Sequence, residues 1–235
     1  MTTGTVKKSD LGVRTASAVV MITVAGVMLW LGGVWFDVFV IVIGFVTLAE
    51  FSGLILKIAK SNVIRFLALV LGAIYIGSAI YFITQINYIP FLFLIVGSVV
   101  CVDTFAYFFG RTLGGPKIAP KISPSKTWTG LLGGIVGATF ALSLYFQILA
   151  KMRGLESVRL IDAFPILLMF GAIIAVLAQS GDFFESWLKR RAGVKDSSRL
   201  LPGHGGVFDR VDGMLPVAIL FGFLLVTYYP HWLNR

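Results

Sequence analysis

Seven apolar runs, each close to the length of a membrane-spanning helix, follow one another along almost the whole 235-residue chain. A helix needs roughly 20 apolar residues to cross a bilayer. Hydrophobic residues make up 57% of the chain and charged residues 13%, whereas about a quarter of the residues in a soluble domain are charged. One soluble core could not bury so much apolar surface, so the solvent of this chain is lipid. The runs cover approximately residues 15–31, 34–56, 63–83, 90–110, 128–150, 163–185 and 214–232.

The runs predict helices, because backbone left open to lipid would lack hydrogen-bond partners. They also lack the alternation of polar and apolar residues that marks a membrane β-barrel. We therefore expect an all-α fold, a polytopic integral membrane helical bundle of about seven transmembrane helices, which forms a single transmembrane domain over residues 1–235 because no linker divides the sequence. The first run has no small-residue cleavage site, so we expect it to be retained rather than removed as a signal peptide.

Lysine and arginine collect in alternate loops, and this asymmetry predicts the orientation of the chain. Lys7, Lys8 and Arg14 precede the first run, and further basic residues follow the second, fourth and sixth runs. The positive-inside rule then predicts a cytoplasmic N-terminus and two long cytoplasmic loops, residues 111–127 and 186–213. Both loops are rich in Gly, Pro and basic residues, so we expect the chemistry of the chain to lie there. The same rule accounts for the net charge of +9, so we expect no nucleic-acid partner.

The loop after the sixth run carries acids at positions that suit a metal ion. Asp209 and Asp212 are three residues apart, so they share one face if they lie on a helical turn. Asp182 stands at the end of the preceding run, and a hairpin would bring the three carboxylates together. Mg²⁺ prefers one or two carboxylates with water and phosphate oxygens. Cys101 is the only cysteine, so the chain cannot build a cysteine metal cluster. We therefore predict that the three aspartates are catalytic and bind metal.

Basic residues and glycines beside these acids predict that the site handles phosphates. We expect the basic side chains to hold phosphate oxygens, and a pair of glycines to let backbone N–H groups approach them. The predicted phosphate-binding residues are Lys126, Lys195, Arg210, the hydrogen-bond donor His204, Gly205 and Gly206. The basic run from Lys189 to Arg191, taken alone, is better explained as a topogenic anchor.

Two further acids lie inside apolar runs, where an ionisable side chain is costly. Asp103 stands eight residues before Arg111, about 12 Å deeper along a helix. Intramembrane acids usually serve function, so we predict that Asp103 lines a polar cavity open to the cytosol. Glu50, near the end of the second run, could line the same cavity or reach the interface, and we leave it outside the predicted site.

Three stretches of the chain match the pattern of a known family. Residues 186–212 contain Ser-x-Leu-Lys-Arg, Lys-Asp-x-Ser, Leu-Pro-x-His-Gly-Gly and Asp-Arg-x-Asp. This string resembles the signature of the phosphatidate cytidylyltransferase family, also called CDP-diacylglycerol synthases. Residues 103–111 and 123–130 are similar to two further segments of that family. Ser125 and Thr129 depart from its pattern, because they stand where the family often has Lys and Glu, so this chain must order that loop in another way.

The resemblance implies transfer of CMP from CTP to phosphatidate, which gives CDP-diacylglycerol and pyrophosphate for phospholipid biosynthesis. It implies Mg²⁺ as the cofactor, and whether a second cation binds stays open. The expected partners are CTP and phosphatidate in the bilayer, at a site facing the cytoplasm of a bacterial inner membrane. Association as a homodimer also stays open. The expected substrate contacts are Asp103, Ser123, Lys126, Lys189, Arg190, Lys195, Asp196, His204, Gly205, Gly206 and Arg210.

Two alternative functions stay open at this stage. Nothing in the apolar runs identifies the acyl chain, so the enzyme could act on another lipid, such as a polyprenol derivative. A transporter or channel could instead use Asp103 and Glu50 to line an ion path. The phosphate-type loop and the absence of paired broken spans argue against transport.

Overall fold

The computed structural model of the chain describes residues 8–86, 89–154 and 159–228. Within these ranges, six helices are long and apolar enough to cross a membrane by length and composition. The elements in chain order are α1 Lys8–Leu31, α2 Gly33–Ile58, α3 Asn62–Gln85, α4 Ile89–Thr112, β1 Lys117–Ala119, β2 Ser123–Thr127, α5 Trp128–Met152, α6 Leu160–Ala192, α7 Phe208–Val211 and α8 Met214–Tyr228.

The observed helices confirm the predicted all-helical membrane fold. α1 to α6 coincide with the first six apolar runs, and they expose large apolar side chains such as Ile22 and Trp30, which suits a lipid environment. The seventh run forms α8, which is 15 residues long in the described part of the chain. The predictions for Lys7 and for the end of the seventh run, residues 229–232, fall outside the described residues.

The sixth helix is longer than the sequence predicts, and this corrects the expected loop of residues 186–213. Residues 186–192 continue α6, because no helix-breaking residue interrupts the charged segment before Gly193. Gly193 adopts a φ of 68°, a conformation that favours glycine. Its N–H bonds to Arg190 O at 3.3 Å, and Val194 N–H bonds to Lys189 O at 3.0 Å. This paired arrangement is a Schellman cap, so the loop begins only at residue 193.

A two-stranded hairpin between α4 and α5 is a second feature that the all-helical prediction did not contain. β1 and β2 pair antiparallel, with Lys117 opposite Thr127 and Ala119 opposite Ser123. Prolines at 116, 120 and 124 disfavour a helix in this segment. The hairpin leads directly into α5, since β2 ends at Thr127 and α5 begins at Trp128. Trp128 N–H also donates to Pro116 O at 3.1 Å, which ties the start of α5 to the start of the hairpin.

By internal packing the chain divides into two compact units. Unit 1 comprises residues 1–80 and 188–211, and unit 2 comprises residues 81–187 and 212–235. Unit 1 therefore contains α1, α2, most of α3 and the segment from the end of α6 through α7. Unit 2 contains α4, the hairpin, α5, most of α6 and α8. The prediction of a single catalytic domain, made because no linker divides the sequence, stays a prediction.

The core of unit 2 is built on the close pairing of α4 with α5. Gly133 and Gly137, spaced one turn apart on α5, lie against the backbone and side chains of α4 at Cys101, Phe105 and Phe109. A side chain at either glycine would overlap these atoms. This small-residue pair therefore forms a helix-packing face.

Candidate active site

Four charged side chains of unit 2 form what we call the acidic cluster: Asp103 on α4, Lys126 on β2, Asp182 on α6, and Asp212 before α8. Lys126 donates a hydrogen bond to Asp182 Oδ2 and forms an ion pair with it. Asp182 and Asp212 share a side-chain hydrogen bond, and Asp103 lies close enough to act electrostatically on both Lys126 and Asp212. Three carboxyl groups thus act on one ammonium group, which is paired directly with Asp182.

The acidic cluster changes the protonation of its members outside the spanning helices. Burial, and after it the charge of the neighbouring Asp182, raise the pKa of Asp212 to about 8 against the lowering effect of the Gly213 N–H. Two carboxyl groups in hydrogen-bond contact must hold a proton between them when no cation is present. For Lys126, burial alone lowers the pKa, but Asp182, Asp103 and Asp212 together raise it above its ordinary value.

Close backbone contact between α6 and the turn before α8 brings Asp182 and Asp212 together. A Cβ at Gly181 would overlap the carbonyl group of Asp212, so only glycine permits this approach. Gly213, the next residue of the turn, lies against Ala178 O and Asp182 Oδ1, and its N–H donates to Asp212 Oδ1 at 2.9 Å. The position of the carboxyl pair is therefore set by rigid backbone.

The hairpin that carries Lys126 is held by three threonine and backbone contacts. Thr127 caps the N-terminus of α5, where its Oγ1 accepts from Gly130 N–H at 3.0 Å. Thr129 Oγ1 donates to Gly114 O and lies 3.0 Å from Thr127 Oγ1. Thr129 stands where the resembled family often has Glu, and these bonds show how the chain orders the segment without that carboxylate.

Unit 1 contains the α6–α7 loop, residues 193–207, which carries most of the predicted phosphate-binding residues. Asp209, on α7 just beyond the loop, accepts hydrogen bonds from residues of the loop. Its carboxylate accepts from Lys189 Nζ at 2.7 Å, Gly206 N–H at 2.7 Å and Ser197 N–H at 3.0 Å. Its Oδ2 also lies 3.0 Å from Ser197 Oγ, whose one proton it shares with Glu50 Oε2. Asp209 thus joins both ends of the loop to the end of α6.

Glu50 is a second acid of unit 1 that holds the α6–α7 loop, although the site predicted from the sequence does not include it. Its Oε1 accepts from Ser198 Oγ at 2.6 Å and Val207 N–H at 3.0 Å. Its Oε2 accepts from Ser197 Oγ at 3.0 Å and Phe208 N–H at 2.7 Å. The sequence indicates this role only by placing an acid near the end of an apolar run. Its partners lie about 150 residues away, so no local pattern reveals them.

The predicted phosphate donor His204 is fixed by contacts at its ring and at its backbone. Its Nδ1 lies 2.6 Å from Ser17 Oγ on α1. Arg210 donates from Nε and Nη2 to His204 O at 3.1 and 2.8 Å. Gly203 and Gly205, with φ of 75° and 82°, allow the tight turn that presents the ring.

The structure assigns the predicted residues to the two units as follows. Unit 2 brings together Asp103, Lys126, Asp182 and Asp212, and Ser123 begins the same strand as Lys126. Unit 1 contains Lys189, Arg190, Lys195, Asp196, His204, Gly205, Gly206, Asp209 and Arg210. Lys195 and Asp196 are exposed, and Lys189 is paired with Asp209. Among the described residues, no three His, Cys, Asp or Glu side chains are grouped as a metal site.

Comparison with known proteins supports one class for this arrangement. The cytidylyltransferase family matches residues 54–228. A phosphatidate cytidylyltransferase of Brucella abortus biovar 1 is 34% identical over 90% of this chain and 92% of its own length. Those of Rickettsia typhi and Thermotoga maritima are 33% and 44% identical, over 91% and 53% of this chain and 91% and 45% of their own lengths.

The apolar helices and these similarities define an integral membrane protein of the nucleotidyltransferase class. It belongs to the cytidylyltransferase family, in the group of the phosphatidate cytidylyltransferases.

Proposed function

We propose that the chain transfers CMP from CTP to phosphatidate and releases pyrophosphate, in a reaction that requires Mg²⁺. The observation that carries this proposal is the acidic cluster, in which Asp182 and Asp212 lie in hydrogen-bond contact beside a charged Lys126. The family and the curated relatives supply the expected substrates. We further propose that the site faces the cytoplasm from a bacterial inner membrane, which suits the basic residues of the loops.

Opposite charge on two groups of residues supports separate roles for them. The acidic cluster contains three carboxyl groups and one ammonium group, so it attracts a cation and repels free phosphate. The α6–α7 loop instead presents Lys195 to solvent, with Arg210 exposed on α7 just beyond it. Asp209 is already neutralised by Lys189. In this proposal the loop holds the triphosphate of CTP, which arrives from water.

The chemistry of the carboxyl pair fits Mg²⁺. Mg²⁺ is usually bound in proteins by one or two carboxylates, with waters and substrate phosphates completing its shell. Asp182 and Asp212 offer that pair, on backbone that Gly181 and Gly213 hold in place. Bound there, the cation would neutralise charge on the reacting phosphates. Asp209 as a third ligand remains a prediction.

The reaction itself asks little acid–base work of the side chains. A phosphate monoester loses its second proton with a pKa near 6, so phosphatidate is largely dianionic at neutral pH. One of its oxygens attacks the α-phosphorus of CTP, and the bond from that phosphorus to the pyrophosphate oxygen breaks. The task of the protein is to hold two anions in line. Lys126, kept protonated by its carboxylate neighbours, offsets their repulsion.

Reconstituted protein tests the proposal directly. Pyrophosphate release should require CTP, Mg²⁺ and phosphatidate together, and product formed equally well from a polyprenyl phosphate would contradict the proposed substrate. Asp212→Asn should lower turnover by about a hundredfold or more, since changes even behind metal ligands cost 10 to 100-fold. Asp162→Asn is the matched control, because Asp162 is exposed in the first turn of the same helix that carries Asp182. Near-normal turnover of Asp212→Asn would refute the assignment.

A further inference from the structure

We infer that Glu50 is a positioning residue, which holds the α6–α7 loop in the shape that binds the triphosphate of CTP. This inference rests on the proposed function, because it concerns the loop that the proposal assigns to CTP. Glu50 touches neither substrate in this scheme. It acts through Ser197, Ser198 and the first residues of α7.

The contacts of Glu50 use both carboxylate oxygens fully. Each oxygen accepts one hydroxyl and one backbone N–H from the loop and α7, at 2.6 to 3.0 Å. The side chain is 8% exposed, so water cannot readily replace these donors. Gly206 packs directly on the carboxylate, and a Cβ there would overlap both Glu50 and Ser197 Oγ.

The position of Glu50 on α2 gives the loop a fixed base. Phe51, its neighbour, packs edge to face on Phe208, with ring centroids 6.2 Å apart, and Phe208 is buried. The start of α7 is thus fastened by one polar and one apolar contact to the same turn of α2. Lys195 and His204 lie on the stretch between the end of α6 and that fastened start, so their reach toward an anion depends on it.

Glutamine cannot replace Glu50 in either orientation of its amide. The amide carries one acceptor oxygen and one NH₂ donor, and each oxygen position of Glu50 faces a backbone N–H. One N–H would always meet a donor, and leaving a buried donor unsatisfied is costly. Aspartate keeps two acceptor oxygens on a shorter side chain, so Glu50→Asp should retain part of the function.

The test combines kinetics with proteolysis on the full-length protein in detergent. Glu50→Gln should raise the KM for CTP about tenfold or more, and Glu50→Asp should recover part of this loss. Global destabilisation would lower the active fraction, hence apparent kcat, and leave KM unchanged. Trypsin should cleave after the exposed Arg199 faster in Glu50→Gln than in the unsubstituted protein. Thr47→Val is the control, because Thr47 is buried one turn earlier on α2 and donates only to Ile43 O of its own helix.

Each outcome bears on the inference. Unchanged KM for CTP in Glu50→Gln would overturn it, even if cleavage after Arg199 accelerates. An equal rise in KM in Thr47→Val would also overturn it, because the effect would then belong to α2 in general. If the unsubstituted protein shows no CTP turnover, the proposed function fails, and the cleavage rates with the equilibrium affinity for CTP decide whether Glu50 shapes the loop.

Discussion

Replacing Asp209 with asparagine separates two roles that its carboxylate could have, as a metal ligand and as the internal anchor of the α6–α7 loop. In unit 1 the carboxylate pairs with Lys189 at 2.7 Å, and the two side chains are 5% and 15% exposed. It also accepts from Ser197 and Gly206. Asp209→Asn keeps one acceptor oxygen but removes the negative charge that lies 2.7 Å from the Lys189 ammonium group.

The structure sets the expected size of the effect. Removing one partner of a buried ion pair costs about 3–5 kcal/mol. Because asparagine can still accept from Gly206 or Ser197, we expect a loss near the lower limit, about 3 kcal/mol. For a chain of this length each kcal/mol lowers Tm by about 2–4 °C, so Tm should fall by roughly 6–12 °C. Adding Lys189→Met should recover part of the loss, because it removes the ammonium group that the Asp209 carboxylate no longer neutralises.

The assay is thermal unfolding in detergent with a chelator present, followed by tryptophan fluorescence. The chelator removes bound cations, and without a cation the two roles predict opposite changes in Tm for Asp209→Asn. Removing one of several carboxylates that gather around an absent cation relieves repulsion, so Tm would stay equal or rise. A Tm for Asp209→Asn at or above that of the unsubstituted protein would therefore refute the anchor role and favour the metal role.

Three further predictions concern single residues. In cation-free buffer, the free energy of unfolding should fall as the pH rises from about 4 through 8, because Asp212 stays protonated in the folded protein over a range in which it is ionised in the unfolded chain. Melting curves across this range should show the fall, and Asp212→Asn should make the pH dependence weaker. Gly206→Ala should lower Tm and raise the KM for CTP, because its Cβ would overlap Glu50 and Ser197, whereas Gly53→Ala, with open space around it on α2, should leave KM unchanged and stabilise the helix. Ser17→Ala should lower kcat/KM several-fold by freeing the His204 ring, and Ser17→Thr, which keeps a hydroxyl, should restore it; equal kinetics for both variants would contradict a role for this contact.

The membrane helices could be predicted closely because hydropathy is a local property of the sequence. The predicted run 128–150 and the observed helix Trp128–Met152 start at the same residue. Hydropathy does not predict the end of α6, because the apolar run ends near residue 185 whereas Lys and Arg, which are good helix formers, continue the helix to Ala192. The hairpin was missed because its strands are too short to show alternation, and their pairing depends on Lys117 and Thr127 meeting across a turn.

The candidate site was predictable only in part, because its residues converge from distant segments. The motifs pointed to Asp182 and Asp212, and the structure brings them into contact. Lys126 was expected to meet phosphate alone, whereas the structure pairs it with Asp182. Glu50 shows the limit most clearly, since nothing near it in the sequence indicates that Ser197 and Phe208 are its partners.

The bonds from Glu50 have a consequence for how the protein is made. Its first partner, Ser197, lies 147 residues later in the chain, and ribosomes add about 5–20 residues per second. For roughly 7–30 s after α2 is synthesised, the Glu50 carboxylate therefore lacks the hydrogen-bond donors of the α6–α7 loop. During this time it must lie within the insertion machinery or near water. Stalling the ribosome before residue 197 would trap this intermediate, in which α2 is already inserted in the membrane but the loop residues that Glu50 binds have not yet been synthesised.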